Sequence, residues 1–200
     1  GLDLSQNVNL EGLNIRNNNI SNIDLSQNIN LKSLDLSGTQ YSNIDISIFP
    51  YLERLRIQYA DFSSIDLTQN SNLIEFIAFG NNFSQINVTQ NLNLETLYLS
   101  GNQITSLDLS NNINLEQLWV SENSLNSLDL SQNSQLEYLI CHSNQITSLD
   151  LTSNPYLYRL WASNNLFTTL DLSQNTELIE LKVENTLLQV LDLTNNLSEL

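Results

Sequence analysis

Apolar residues recur along the entire chain at a fixed interval of 21 residues. One column of this repeat, from Leu10 to Leu178, contains only leucine, and a second, from Leu13 to Leu181, contains leucine with one phenylalanine. A third column, which begins at Ile15, is apolar throughout. A fixed period in this range is typical of a solenoid, in which each repeat forms one coil.

The repeat unit reads L-x-x-L-x-L-x-x-N-x-I-x-x-L-D-L-S-x-N-x-x, so each half contains two leucines separated by one residue. Because side chains alternate along an extended chain, each triplet points its leucines to one side, which predicts a short strand. A unit of 21 residues leaves no room for a helix beside two strands. We therefore expect a β-rich, right-handed superhelix with two faces of short parallel strands and almost no α-helix.

The repeat runs through the whole chain without insertion or deletion, which makes 1–200 a single domain of about nine and a half coils. An isolated coil buries too few apolar side chains to offset the entropy of ordering it. Stability must therefore come from the stacking of neighbouring coils. Since the first residue falls inside a repeat and no cap is visible, we expect the domain to be a fragment of a longer protein.

Polar residues obey the same period. Two asparagine columns follow the two triplets, and an amide can both donate and accept hydrogen bonds at the corners of a coil. The first column is interrupted at Thr39, Ala60 and Thr186, and the second at Phe49. The middle residue of the second triplet forms an acidic column, which is interrupted only by Asn87. Its members are Asp3, Asp24, Asp45, Asp66, Asp108, Asp129, Asp150, Asp171 and Asp192.

Stacked carboxylates about 4.8 Å apart repel one another, so the acidic column needs compensation. Each of its positions is followed two residues later by serine or threonine, whose hydroxyl can donate to the carboxylate. The alternative is Ca²⁺ between neighbouring coils, but one carboxylate per coil supplies few of the roughly six to eight oxygen ligands that calcium takes. We therefore expect hydrogen bonds, with no metal and no cofactor.

The charge balance narrows the classes of partner. The chain has 6 lysines and arginines against 22 aspartates and glutamates, which gives a formal net charge of −16. This charge opposes binding to nucleic acid and to anionic membrane surfaces. No stretch reaches the roughly 18 apolar residues of a membrane span, so we expect no membrane insertion.

The sequence offers few residues in an arrangement that would suit catalysis. Cys141 and His142 are adjacent, but neighbours on a strand face opposite sides, so they cannot act as a nucleophile and its base. Ser121 and Ser163 lie one coil from His142, and no acid stands where it could orient the histidine. We expect a protein that is not an enzyme.

One half of the unit, as in LETLYLSGNQI at 94–104, resembles the signature of leucine-rich repeats. Together with LDLSNN at 107–112, it resembles the nested bacterial class of these repeats named IRREKO. The resemblance implies a leucine-rich-repeat solenoid, a binding scaffold, and an extracellular or cell-surface location. It also implies that the ligand binds to the sheet of the signature half.

The outward residues of that sheet change from coil to coil, whereas the inward columns do not. They include arginine, tryptophan and tyrosine, the residue types that dominate binding energy at interfaces. The alternative is that the aromatic rings only pack on one another along the sheet. We predict a ligand-binding site that consists of Arg54, Arg56, Phe79, Tyr98, Trp119, Tyr138, His142, Arg159 and Trp161.

Charge also distinguishes this sheet, because Arg54, Arg56, Arg159 and Lys182 fall on it while the acidic column lies opposite. We expect this asymmetry to orient a partner.

Three functions fit these observations. The first is protein–protein recognition or adhesion. The second is carbohydrate binding, because Trp119 and Trp161 are two coils apart, about 10 Å, a spacing on which a glycan could stack. The third is a structural spacer of a secreted bacterial protein, kept soluble by its acidic columns. The oligomeric state is left open by the sequence.

Overall fold

The computed structural model describes residues 2–196, and within this range the chain forms one sheet of nine parallel strands in the order β1 to β9. Each strand pairs with the next in a register of one repeat, so that Leu97 lies beside Leu118 and Leu118 beside Leu139. No helix occurs among these residues. The predicted solenoid is therefore confirmed. The strands are β1 (Gly12–Asn14), β2 (Ser33–Asp35), β3 (Arg54–Arg56), β4 (Glu75–Ile77), β5 (Thr96–Tyr98), β6 (Gln117–Trp119), β7 (Tyr138–Ile140), β8 (Arg159–Trp161) and β9 (Glu180–Lys182).

The core is a continuous column of leucines and phenylalanines behind the sheet. Leu97 and Leu118, the middle residues of β5 and β6, are fully buried. Five phenylalanines are also fully buried: Phe49, Phe62, Phe76, Phe83 and Phe167. Because each side chain packs on the coils above and below, burial depends on the stack and not on the single coil.

The prediction of a second strand face is wrong. The L-D-L segments form no strand within residues 2–196, because their backbone groups bond elsewhere. In one representative coil the carboxylate of Asp108 accepts the N–H of Ser110 at 3.0 Å. The Leu109 carbonyl accepts the N–H of Asn112 at 3.0 Å and the side-chain amide of Asn133 at 3.2 Å. A tight turn therefore replaces the ladder that a strand would need.

Both asparagine columns donate hydrogen bonds at the corners as the sequence predicts, but in the second column the buried Oδ1 atoms have no hydrogen-bond partner among residues 2–196. After the sheet, the Nδ2 of Asn102 donates to the carbonyls of Ala78 and Leu99, and its Oδ1 accepts the N–H of Phe83. In the second column the Nδ2 of Asn91 donates to carbonyls of the preceding coil. Each amide thus ties one coil to the next.

The third coil departs from this pattern, at the positions where the sequence breaks both columns. Phe49 replaces an asparagine and is fully buried. At Ala60 no side chain can bond the corner, and the Oδ1 of Asn81 accepts the N–H groups of both Ala60 and Phe62. The bond from Phe62 is the regular one, equivalent to that from Phe83 to Asn102, and the bond from Ala60 is additional.

Candidate ligand-binding face

The outward side of the nine-stranded sheet, called the sheet face below, carries every predicted site residue. Seven of the nine lie within strands, at the first or third position, while the middle residue points into the core. Phe79 and His142 lie two residues beyond β4 and β7. The nine residues do not form one cluster. They divide into groups with different contacts, and their role in binding stays a prediction.

Tyr98 and Trp119 form a central aromatic pair on β5 and β6. Their rings stack with centroids 4.1 Å apart and planes inclined by 13°. The hydroxyl of Tyr98 donates to the side chain of Gln117, and burial raises the pKa of Tyr98 above its ordinary value. Because the stacked faces lie against each other, partly exposed ring edges form the outer surface of the pair.

Trp161 belongs to a second group, in which charged residues of the same chain surround the ring. Lys182 Nζ lies 3.6 Å and the Arg159 guanidinium 5.5 Å from the Trp161 ring centre. The indole Nε1 donates to Glu180 at 2.9 Å, and Arg159 Nε lies 2.6 Å from a Glu180 oxygen. The packing of aromatic rings on one another, which was the alternative to ligand binding, is therefore present at Trp119, whereas Trp161 packs on charged side chains.

A repeated contact between neighbouring coils explains these groups. An outward residue at the end of one strand reaches the first residue of the next strand, 19 positions later, as Trp161 reaches Glu180. At Trp119 the corresponding partner is Tyr138, which supplies no such acceptor. The Nε1 of Trp119 is buried and has no hydrogen-bond partner among residues 2–196.

The two arginines of β3 also have partners on the sheet face. Arg56 Nε lies 2.7 Å from Glu75, and this hydrogen bond raises the pKa of Arg56 above its ordinary value. Arg54 lies 3.7 Å from Glu53. Both arginine side chains remain partly exposed. They are thus held in place, and their charges are largely compensated.

The expected separation of charge between the two sides of the molecule is wrong. Acidic residues line the sheet face as well as the opposite side, and Glu53, Glu75 and Glu180 pair with the basic residues there. The acidic residues that flank the strands do not belong to the acidic column, on which the expectation was based.

Three of these flanking acids form a row that sequence analysis missed. Glu95, Glu116 and Glu137 each precede a strand by one residue, on three consecutive coils. The N–H of Glu116 donates to the Glu95 carbonyl, and the N–H of Glu137 to the Glu116 carbonyl, both at 2.9 Å. Burial and the charges of the two neighbours raise the pKa of Glu116. The signal available in the sequence was glutamate repeated twice at the 21-residue interval.

Tyr59 is another surface residue that the sequence did not single out. Its ring is 68% exposed and meets Phe79 edge-on, with centroids 5.1 Å apart. The ring covers the backbone of Gly80, where an added Cβ would lie 2.3 Å from it. Phe79 thus lies in an aromatic contact at the edge of the sheet face. A tyrosine in a column that otherwise holds glycine, asparagine, serine or glutamate was the available signal.

Cys141 and His142 lie as the alternation predicts. Cys141 is fully buried, and burial raises the pKa of its thiol to about 12, so the thiol stays protonated at neutral pH. His142 is half-buried on the sheet face, and its Nδ1 lies 3.2 Å from the Ser143 hydroxyl. The pair therefore lacks the thiolate that nucleophilic chemistry requires.

The acidic column on the opposite side is hydrogen-bonded. Asp108 accepts the N–H of Ser110 at 3.0 Å and its hydroxyl at 2.7 Å, and these bonds lower the pKa of Asp108. Asn87 accepts the same two bonds from Thr89. Within the described part of the chain, no group of three or more histidine, cysteine or acidic residues is arranged to hold a metal ion. A helix long and apolar enough to cross a membrane is likewise not found in 2–196.

Comparison with known proteins agrees with this architecture. The family described as Leucine Rich repeats (2 copies) matches residues 92–135. The functional domain of InlJ from Listeria monocytogenes has a TM-score of 0.91 and 32% identity over 99% of this chain and 49% of its own. A leucine-rich-repeat protein from Leptospira interrogans has a TM-score of 0.86 and 27% identity over 91% of this chain and 50% of its own.

An internalin from Listeria monocytogenes shares the fold, with a TM-score of 0.89 and 24% identity over 98% of this chain and 61% of its own. The chain thus spans about half the length of the first two structures and somewhat more of the third. No curated protein sequence matches. The InlJ domain is described as including a cysteine ladder, whereas this chain has a single cysteine.

The repeat signature, the solenoid and these matches place the chain among the leucine-rich-repeat proteins. More particularly, it is a bacterial leucine-rich-repeat protein with an internalin-like solenoid. This class consists in general of repeat scaffolds that bind proteins. Assignment to the nested 21-residue class stays a prediction.

Proposed function

We propose that the sheet face binds a protein partner and that the domain is a non-catalytic recognition or adhesion module of an extracellular or cell-surface protein. The central aromatic pair carries this proposal. Tyr98 and Trp119 stand near the middle of the sheet, partly exposed and fixed by their stacking at 4.1 Å. Rigid amphipathic rings of this kind bind protein surfaces with little loss of conformational entropy.

Variation along the sheet face supports recognition over a purely structural role. The outward column of the strand ends changes at nearly every coil, from Arg56 through Ile77 to Tyr98 and Trp119. The inward leucines and the acidic column hardly change. A spacer needs only the constant columns, so the changing face is the part that can select a partner.

The geometry favours a protein over a glycan. Carbohydrate binding by two tryptophans requires a free ring face on each. Tyr98 covers one face of Trp119, and Lys182 lies over the ring of Trp161. These contacts leave at most one face of each ring for a glycan, whereas a protein can also pack on the ring edges. The net charge of −16 continues to oppose nucleic acid as the partner.

A matched pair of tyrosine variants tests the proposal. Peptides are selected on the immobilised domain from a phage-displayed random library, and their affinity is measured by calorimetry. Tyr98→Ala should weaken the selected peptides about tenfold or more, as expected of a central anchor. Tyr156→Ala removes a ring that is 55% exposed at a corner outside the sheet and should change affinity less than about twofold.

Unfolding temperatures of both variants confirm that each is folded. Selected peptides that bind Tyr98→Ala as tightly as the unmodified domain would refute the sheet face as the binding surface. A glycan array provides the second arm. Glycan binding that Tyr98→Ala abolishes and Tyr156→Ala preserves would replace the protein proposal with the carbohydrate one.

A further inference from the structure

We infer that the sheet face binds a basic protein segment, whose lysine or arginine side chains lie between the row Glu95, Glu116 and Glu137 and the central aromatic pair. This inference rests on the proposed function and specifies the chemistry of the partner. It follows from charge complementarity between the unpaired middle of the sheet face and a cationic segment.

The ion pairs between residues 2 and 196 lie toward the two ends of the sheet face. Toward one end, Lys32 pairs with Glu11 at 3.0 Å, and both arginines of β3 pair with glutamates. Toward the other end, Glu180 pairs with Arg159 and Lys182. Every lysine and arginine of the chain lies either at or before position 56 or at or after position 159. The coils between them have no lysine or arginine, and their one histidine, His142, lies two residues beyond β7.

The glutamate row lies in this middle stretch. Among residues 2–196, Glu95, Glu116 and Glu137 take part in no ion pair. Consecutive strands are about 4.8 Å apart, so three like charges stand close together without compensation. Burial, and after it the charges of Glu95 and Glu137, raise the pKa of Glu116. A cation placed beside the row would relieve this repulsion.

The aromatic pair lies on the same coils, three residues after the glutamates and therefore about 10 Å further along the chain. A basic segment with several cationic side chains can reach both. Glu95 and Glu116 directly precede β5 and β6, which end at Tyr98 and Trp119. Aromatic rings attract ammonium and guanidinium groups, and the attraction increases when these groups are desolvated. No cation of the described chain lies within reach of these two rings, unlike at Trp161.

The Trp161 group provides an internal example of the proposed contact. There the chain itself supplies the cations: Lys182 lies 3.6 Å from the ring centre of Trp161 and 3.4 Å from Glu180. Lysine, glutamate and indole thus already form one cluster on this face. In the middle coils the glutamates lie one residue before the strand, whereas Glu180 is the first residue of β9. These coils present glutamates and rings without a cation, which a basic partner would supply.

The experiment compares two variants with equal changes in charge. In the test variant, Glu95→Gln, Glu116→Gln and Glu137→Gln remove three charges from the sheet face. In the control, Asp108→Asn, Asp129→Asn and Asp150→Asn remove three charges from the opposite side. Asparagine is tolerated in that column, because Asn87 makes the same bonds to Thr89.

The probe is a lysine- and arginine-rich peptide, compared with an acidic peptide of equal length and apolar content. Calorimetry should detect binding of the basic peptide only, and the glutamine variant should lose about tenfold in affinity. The control should lose less than about twofold, because salt screens charges on the far side of the molecule. The glutamine variant should fold normally and melt no lower than the unmodified domain, since it loses only repulsion.

Equal losses in the two variants would overturn the inference, because binding would then follow only the net charge of −16. Failure of the basic peptide to bind would overturn it too. Selected peptides that are neutral or acidic and still depend on Tyr98 would leave the proposed function intact while removing this inference. Selected peptides whose affinity is unchanged by Tyr98→Ala would instead refute the proposed function.

Discussion

At the scale of single residues, one position in every coil has a left-handed backbone. It lies just after the sheet, where the chain turns toward the asparagine corner. Glycine occupies it at Gly38, Gly80 and Gly101, with φ between 63° and 67°. Other coils place Tyr59 or Glu122 there, with φ of 52° and 54°. The stacking of the coils therefore determines the turn geometry, and residues with a Cβ adopt the left-handed conformation despite its steric cost.

Three glycine-to-alanine variants separate backbone strain from crowding. Gly101→Ala should cost about 1–2 kcal/mol of unfolding free energy, the usual penalty for a Cβ in the left-handed region. Gly80→Ala should cost more, because its Cβ would also lie 2.3 Å from the Tyr59 ring. Gly12→Ala is the control, since no atom lies within 4 Å of its Cβ and it should be neutral or slightly stabilising. Urea unfolding measures all three.

The double variant Tyr59→Ala, Gly80→Ala checks this explanation. Without the tyrosine ring, the cost of Gly80→Ala should fall to that of Gly101→Ala. An unchanged cost would assign the whole effect to the backbone.

At the scale of elements, hydrogen bonds at the corners join consecutive coils in addition to those between the strands. Asn112 is fully buried and donates to the carbonyls of Val88 and Asn91, at 3.0 and 2.9 Å. Asn114 makes a single bond of 3.0 Å to the Leu92 carbonyl, in an exposed position. Asparagines at the latter position form a third ladder, which the sequence analysis did not predict.

Alanine variants should show that the buried asparagine ladder contributes more to the free energy of unfolding than the exposed one. Asn112→Ala removes one of the two donors from each of two buried carbonyls, which keep the N–H groups of Asn91 and Leu94. Each lost hydrogen bond should cost about 0.5–1.5 kcal/mol. Asn114→Ala should cost about 0.5 kcal/mol or less, because water replaces the lost donor. Denaturant unfolding of both variants is the measurement. A cost for Asn112→Ala no more than twice that for Asn114→Ala would mean that the bonds matter by number and not by burial.

The acidic column should make the fold sensitive to acid. Hydrogen bonds from Ser110 lower the pKa of Asp108 in the folded state, and Thr152 does the same for Asp150. Because the folded pKa lies below the unfolded one, this stability is present above about pH 3.9 and is lost as the pH falls through the folded pKa.

Melting temperatures between about pH 5 and about pH 2 provide the test. The unmodified domain should lose more stability over this range than the variant Asp108→Asn, Asp129→Asn, Asp150→Asn, whose amides do not titrate. Parallel curves for the two proteins would show that other groups cause the acid sensitivity.

At the scale of the whole molecule, the solenoid has only nearest-neighbour contacts, so damage should remain local. Leu97 is fully buried, and Leu97→Ala should cost about 2–5 kcal/mol through the cavity that it leaves. Hydrogen exchange should increase first in the coils that contain β4, β5 and β6 and least at the distant ends. Uniform acceleration from end to end would mean that the stack unfolds as one cooperative unit.

Charge is also organised at this scale. The lysines and arginines lie toward the two ends of the sheet, and within the part of the chain that the structure describes all except Arg16 are paired there, which leaves the middle acidic and aromatic. No single coil contains this pattern. It appears only when the outward residues of all nine strands are placed side by side.

The sequence by itself determined the solenoid, the one-repeat register and the inward columns. A strict 21-residue period allows only one alignment of coil on coil, and alternation fixes which side of each strand is buried. It likewise determined that all nine predicted site residues share one face and that Cys141 and His142 point apart.

Only the tertiary structure decided what those outward residues contact. Trp119 and Trp161 occupy the same position of the repeat, yet one stacks on Tyr98 and the other lies between Glu180 and Lys182. The reason is that their partners come from the neighbouring coils, which no local pattern encodes. The missing second sheet has a similar cause. An L-D-L triplet alternates like a strand, but its last carbonyl, that of Leu109, accepts an asparagine side chain, and the N–H of the following Ser110 donates to the Asp108 carboxylate. These groups are therefore not available for a ladder.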